Sequence, residues 1–340
     1  MIRLQTLILV TILCSLFDSE AVCQDLTDVR WVSTDTTVGS VQVVAYWKKG
    51  EKKKYRASKV VKKFKGDSLI SEQKDFDAIV EFEVSDSTDK SYAMTYRMLE
   101  NKRDTSLDTL KGLDLWNVKN EDLVLRYETD ANGAFESFAN REAIEGKLGE
   151  FSQILTKIAQ EKLKGEGEKK ALASVVDKMA GGKALFGSVY ETFISQFHNF
   201  HGYKTGLNDT LNYQEGIMNP LIGKKINFDC YLYLASLDSL GMARFDVDKY
   251  ADMSNFVNDY TAFLKKTREE SGLNPDMVGD SALQNLNMKM HTYMTTTIDL
   301  DSGWPTFSNV TRSVAVLREK PEETEYKDEI WELDSDLEDL

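Results

Sequence analysis

Between Asp75 and Ser85 the chain alternates with a period of two: Phe76, Ala78, Val80, Phe82 and Val84 fall on one parity, Asp75, Asp77, Glu81 and Glu83 on the other. Only an extended strand with one buried face puts such residues on opposite sides, and a slip of one residue would invert the whole face. The next segment repeats the pattern, with Tyr92, Met94, Tyr96 and Met98 set against Ser91, Thr95 and Arg97. The polar link from Ser85 to Lys90 joins the two as an antiparallel hairpin with one wet face. Val41 to Trp47 and Lys52 to Phe64, joined through Lys49-Gly50-Glu51, predict an earlier hairpin. Leu123 to Thr129 and Ala134 to Phe138 predict a later one, turned by Asp130-Ala131-Asn132-Gly133, where Asn and Gly accept the positive φ of a tight turn.

At Asn140 the period changes. Ile144, Leu148, Phe151, Leu155 and Ile158 recur at helical spacing behind an Asn suited to cap a helix running to about Lys164. Gly165-Glu166-Gly167 ends it. A second helix is expected around Leu172, Val175, Val176 and Met179, and a third, apolar on more than one side, around Phe186, Val189, Tyr190, Phe193 and Phe197. His201 to Lys225 reads as a long irregular connection. Strands follow at Ile226 to Leu237 and Met242 to Val247, then a helix carrying Tyr250, Met253, Val257, Tyr260 and Leu264, and a short helical piece to Leu286. The last strands are placed at Met288 to Asp299, Thr306 to Leu317 and Thr324 to Leu333. This order predicts an α+β protein, a curved antiparallel sheet with helices packed on one face. Residues 24–200 form the expected N-terminal part and 201–340 the C-terminal part, with a boundary near Gly202 and a sheet that the two halves could share.

The first 23 residues set the expected address. Arg3 precedes an apolar run from Leu7 to Phe17, too short to span a bilayer, and small residues follow. Cleavage after Ala21 or after Cys23 fits an export signal, and the second leaves Gln24 first. Leu13 before Cys14 and Val22 before Cys23 are poor neighbours for lipoprotein processing. The expectation is a periplasmic or secreted protein. Removing 23 of the 340 residues leaves 317, enough for a sizeable core without disulfides, and Cys230 as the only thiol. Cys230 lies in an apolar run with no base nearby, which reads as a buried small side chain rather than a nucleophile.

The formal charge is −14, or −13 once Arg3, Asp18 and Glu20 are removed. Such a balance opposes nucleic-acid binding, which needs a basic surface. The charge is uneven. From Lys48 to Lys65 ten basic residues face Glu51 alone, and from Glu319 to Leu340 eleven acids face Lys320 and Lys327. The basic stretch is either a dock for an anionic surface or partner, or a strand set against the chain's own acidic end.

Few patterns carry chemistry. His198 and His201 form a His-x-x-His pair that one helical turn would bring together for a metal, although no third ligand stands at metal spacing. The same pair reads equally as helix-end histidines bonded to backbone carbonyls. Asp299-x-Asp301-x-Gly303 matches half of a calcium loop or, without the distal Glu, a hairpin turn. Nucleophile-elbow, phosphate-loop, dinucleotide and zinc-protease motifs are missing. Met94, Met98, Met288, Met290 and Met294, with Tyr92, Tyr96, Phe82, Phe193 and Phe197, are either core or the lining of a cavity for an apolar molecule. Asn208-Asp209-Thr210 and Asn309-Val310-Thr311 match the glycosylation sequon.

Two segments, Tyr127-Glu128-Thr129-Asp130-Ala131-Asn132-Gly133 followed by Asn140, and Ile298-Asp299-Leu300-Asp301-Ser302-Gly303-Trp304, resemble patterns in uncharacterised exported envelope proteins of Bacteroidota-type bacteria. The resemblance implies an envelope protein and carries no functional residue across. The expected function is accordingly non-enzymatic, the binding of an apolar or amphipathic ligand, or of a protein partner, on the concave side of the sheet. The alternative is a hydrolase of envelope glycans or peptides that works through carboxylates or through a metal on His198 and His201. No cofactor, catalytic residue or ligand-binding residue is assigned from sequence.

Overall fold

The computed structural model describes residues 30–32, 40–101, 123–161, 165, 166, 169, 170, 183, 186–207, 209–219, 222, 224–275, 287–317 and 320–335. The expected export signal at 1–23, the expected helix around Leu172 to Met179 and the expected helical piece before Leu286 lie outside them.

The strands are β1 (Arg30–Val32), β2 (Ser40–Gln42), β3 (Lys52–Lys65), β4 (Ser68–Ser87), β5 (Ser91–Asn101), β6 (Leu125–Asp130) and β7 (Phe135–Phe138). After helix α1 (Arg141–Glu161), a π-helical turn (Gly187–Glu191) and helix α2 (Thr192–Phe197) come β8 (Lys204–Gly206), β9 (Thr210–Asn219), β10 (Lys224–Leu237) and β11 (Met242–Asp252). Helix α3 (Ser254–Glu270), β12 (Asn287–Asp299), β13 (Pro305–Leu317) and β14 (Glu325–Asp334) complete the set. Twelve strands form one antiparallel sheet in the order β1-β9-β10-β11-β12-β13-β14-β3-β4-β5-β6-β7, and β2 pairs with β8 separately.

The fold expected from sequence is corrected here. Among the described residues 58% lie in strands and 20% in helices, so the molecule is mostly β and its helices are few and short. Two local readings contribute, and a third departs in the opposite direction. Much of the stretch taken for a loop, His201 to Lys225, is β8 and β9. Tyr250, expected on a helix, lies in β11 instead, and α3 begins at Ser254. The segment from Val43 to Trp47 is extended but pairs with no strand, although the turn at Gly50 forms with φ of 84°.

The sheet is two meanders, β9 to β14 and β3 to β7, joined edge to edge by β14 and β3. Charge explains the join. The lysine-rich β3 runs in register from Glu325↔Lys65 to Asp334↔Arg56 along acidic β14, and its other edge meets β4. There Arg56 bonds Asp77 at 3.0 Å and Lys52 lies 3.4 Å from Glu83. Opposite charges directly across strands stabilise a pair by a few tenths of a kcal/mol up to about 1 kcal/mol.

Hairpins within the meanders share one turn chemistry. Asp130 Oδ1 accepts from the N–H groups of Asn132 and Ala134 at 2.8 Å, and Asp238 Oδ1 does the same for Leu240 and Met242 at 2.8 and 2.9 Å. Asp299 accepts from Asp301 N–H at 3.0 Å and from the Ser302 hydroxyl at 2.7 Å. These carboxylates fold back on their own turns, which is why Asx chemistry favours hairpins.

A twisted sheet of this width curls. The β6–β7 and β12–β13 turns belong to hairpins six places apart in the sheet, yet one extended segment touches both. Ala45 N–H bonds Asn132 O at 2.8 Å and Tyr46 N–H bonds Ser302 O at 3.2 Å. On the side facing this segment lie three apolar clusters. The first joins Phe82, Met94, Tyr96 and Tyr127 to Ile144, Phe186, Ile194 and Phe197 of the helices. The second packs Phe228, Cys230, Met288 and Met290 under Phe256, Val257 and Tyr260 of α3. The third holds Phe200, Leu232, Phe245, Met294 and Val310.

Candidate functional site

Trp47 is the centre of an aromatic knot that clamps the extended segment in place. It stacks on Trp304 at 4.6 Å and meets Tyr92, His198 and His201 at ring distances of 5.2, 5.8 and 5.2 Å. Trp304 Nε1–H donates to Glu51 at 2.7 Å. Gly133, at φ of 94°, approaches so closely that a Cβ there would lie 2.7 Å from both Ala45 and His201. Gly303, at φ of 77°, would place a Cβ 2.5 Å from Val44 O.

Both candidate metal ligands belong to this knot. His198 Nδ1 is 2.8 Å from Gly133 O and its Nε2 is 2.9 Å from the Tyr127 hydroxyl. A carbonyl only accepts, so Nδ1 carries the proton and Nε2 accepts from Tyr127. His201 Nε2 donates to Gly303 O at 2.8 Å. Burial pushes the His201 imidazole down to about 4, against the pull of its carbonyl bonds. Burial, reinforced by the neighbouring His201, holds His198 well below the usual imidazole range. The two rings thus act as neutral struts between turns. Among the described residues no group of three or more His, Cys, Asp and Glu side chains is placed to hold a metal.

The other sequence candidates divide in the same way. Cys230 is buried in the second cluster, and burial, ahead of Glu215, raises its thiol to about 12 despite nearby Lys249. Asp299 and Asp301 form a hairpin turn. Met94 packs in the first cluster with Phe82, Tyr96 and Phe197, and with partly buried Met98, Tyr92 and Phe193. Met288 and Met290 lie in the second and Met294 in the third, so these residues do not line one common space.

What sequence reasoning missed is a charged row crossing the inner face of the sheet. Lys249, Thr292, Arg312 and Glu329 stand directly opposite one another on β11, β12, β13 and β14. They occupy the apolar parity of their strands: Phe245, Val247 and Ala251 flank Lys249, and Val310 and Val314 flank Arg312. Glu329 is 2% exposed and collects three cations. Lys59 Nζ of β3 is 3.2 Å from it, Lys327 donates to it, and Arg312 adds its field. Burial works to raise the Glu329 carboxyl, but Lys59, Lys327 and Arg312 together hold it below its ordinary value. Lys59 also lies 4.4 Å over the Trp331 ring. At the other end Lys249 bonds Glu215 at 2.5 Å, and although burial alone would lower its ammonium, Glu215, Tyr213 and Cys230 hold it above the ordinary value.

Among the described residues Lys59, Lys327 and Arg312 gather on Glu329, and Lys249 pairs with Glu215. Cations set this deep in a sheet face are tolerated only beside anionic groups, so the row has the chemistry to receive one. Apolar clusters flank the row on both sides, the second around Phe228 and Met290 and the third around Leu232 and Met294. A cationic row between two greasy surfaces suits a molecule with an anionic head and an apolar body. The signal in the sequence was a basic residue on the inner parity of three consecutive strands of the C-terminal meander and its neighbour.

No protein-family model matches this sequence, and no curated protein matches it. Function therefore rests on the site itself.

Proposed function

We propose that the protein is a non-enzymatic exported envelope protein that binds an amphipathic anion on the inner face of its sheet. The observation that carries this reading is the gathering of Lys59, Lys327 and Arg312 on buried Glu329, between two apolar clusters on one sheet face. Lys59, Lys327 and Arg312 would meet the head group, and Trp331, Val310 and Val314 would meet the first carbons of the tail. Export rests on the order of charge, apolar run and small residues in 1–23. Among the described residues no helix is long and apolar enough to cross a membrane.

Titration calorimetry with dodecanoate, against dodecyl maltoside as a neutral amphiphile, tests the ligand class. Dodecanoate should bind with defined stoichiometry, and a Lys59→Met, Arg312→Met variant should bind it about tenfold or more weakly while its circular dichroism is unchanged. Equal affinity for the two amphiphiles, or a variant that binds dodecanoate as well as the parent, would overturn the reading. N-terminal sequencing of protein from its own host should begin at Gln24 or Val22, and Met1 retained on the accumulated protein would overturn export.

A further inference from the structure

The outer face of β9 to β13 is rich in tyrosine, aspartate and amide side chains. Its cross-strand rows read Gln214-Asp229-Tyr250-His291-Ser313, Asn212-Tyr231-Asp248-Tyr293-Thr311 and Thr210-Tyr233-Asp246-Thr295-Asn309. These fifteen positions hold four tyrosines, three aspartates, a histidine, three amides and four hydroxyl residues, with no aliphatic side chain and no Lys or Arg. A solvent face of a sheet normally carries Lys, Glu and Thr to prevent edge and face association. Here aromatic rings and hydrogen-bonding groups alternate.

The rings are held in place. Tyr250 stacks on His291 at 4.6 Å and meets Tyr231 at 6.2 Å nearly edge-on, while Tyr231 and Tyr250 remain 41% and 49% exposed. Asp248 accepts from His291 Nε2 at 2.8 Å and lies 3.5 Å from the Tyr250 hydroxyl, so both sides of that ring pair are tethered. Asp246 is 3% exposed, and its Oδ1 has Arg244 Nε at 3.5 Å but no hydrogen bond. Asp246 is therefore held inside the face beside Arg244 and Tyr293, and exposed Asp229 with half-buried Asp248 are the carboxylates within reach of solvent.

We propose that this face binds a polysaccharide strand of neutral hexoses. Tyrosine rings present apolar faces with a polar tip, the form that packs on the C–H face of a pyranose while neighbouring groups bond its hydroxyls. Sugar hydroxyls are donors, and Asp229 and Asp248 are placed to accept. Across these three rows the carboxylates carry the charge, which disfavours phosphate and sulfate polymers and separates this face from the inner row and its anionic guest. A glycan needs no deep pocket, and rings fixed in advance lower the entropy lost on binding.

Affinity electrophoresis of the full chain in native gels containing laminarin, hydroxyethyl cellulose or soluble chitin tests the proposal. Retardation by at least one of the three is expected, with dextran sulfate giving none. Tyr231→Ala and Tyr250→Ala, both on exposed side chains, should weaken retardation about tenfold without shifting thermal unfolding. Lys59→Met should leave it unchanged, so failure of the inner-face reading would not be mistaken for failure of this one. Absence of retardation in all three gels, or undiminished retardation of both tyrosine variants, overturns the proposal, as does stronger retardation by dextran sulfate.

Discussion

Acidification should loosen the knot around Trp47 before it touches the surface ion pairs. An unfolded histidine titrates near pH 6.5, whereas buried His201 titrates at about 4. The unfolded chain therefore binds the proton first. The stability tied to this shift is fully present above about pH 7 and is lost as pH falls from about 6.5 toward 4. At about 1.36 kcal/mol per pH unit the whole shift is worth about 3 kcal/mol, of which about 2 kcal/mol is gone by pH 5. That is a factor of about 30 in the folding constant. His198 is shifted in the same direction and adds to the loss. Asp77 and Glu329, held low by their cations, lose their contributions only at more acid pH, and Asp75, raised by burial, works in the opposite sense. A His201→Gln variant isolates the effect, because its amide can still donate to Gly303 O but does not titrate here. Denaturant unfolding at about pH 7.5 and pH 5, followed by tryptophan fluorescence, should show a pH-dependent loss at least 2 kcal/mol larger in the parent than in the variant. Equal losses in both would refute the assignment of His201 as a neutral buried strut.

Three further outcomes follow from the geometry. Gly303→Ala should destabilise by about 1–3 kcal/mol, because a side chain there meets Val44 O at 2.5 Å and the backbone holds φ of 77°; a midpoint in denaturant equal to the parent's would contradict the close approach. Glu329→Gln should cost about 3–5 kcal/mol, since it leaves Lys59, Lys327 and Arg312 buried around a neutral group; where the variant folds, its affinity for dodecanoate should rise, and a fall would count against the anion site. The Cys230 thiol, raised to about 12 by burial, should react with a thiol reagent at neutral pH only in denaturant, and rapid labelling of the native protein would show it to be accessible.

Most strands were read correctly, including β3, β13 and β14, which carry Lys59, Arg312, Lys327 and Glu329 on their inner parity. Phe76 to Val84 and Tyr92 to Met98 became β4 and β5 with the expected faces, and Ile226 to Leu237 became β10. Two readings failed at a point where a buried charge breaks the alternation. On β11 the inner run Ala243, Phe245, Val247 passes through Lys249 before Ala251, so the strand was ended at Val247 and Tyr250 was assigned to the helix. On β9, Leu211 and Tyr213 are followed by Glu215 on the same face, and the segment was read as a loop. Lys249 and Glu215 are bonded to each other, so each makes the other's inward position tolerable, which no local pattern reveals. Glu215 and Lys249 hid two strand segments, whereas Lys59, Arg312, Lys327 and Glu329 did not hide theirs. Asn140 was also read too locally: its side chain bonds Arg126 N–H and Val124 O of the β6 segment rather than the first turn of α1.

Sequence alone determined that this chain would form antiparallel hairpins, where their Asp- and Gly-bearing turns would fall, and that a basic segment and an acidic one of opposite charge were available to pair. Period-two alternation and turn chemistry act over a few residues, so they can be read without the rest of the chain. Only the tertiary structure decided that twelve strands would share one sheet, with β3 and β14 as the join. It alone set Lys59, Arg312, Lys327 and Glu329 side by side and gathered four tyrosines and three aspartates on one outer face. Those arrangements depend on the register between strands far apart in sequence, and register is fixed by the closing of the whole sheet.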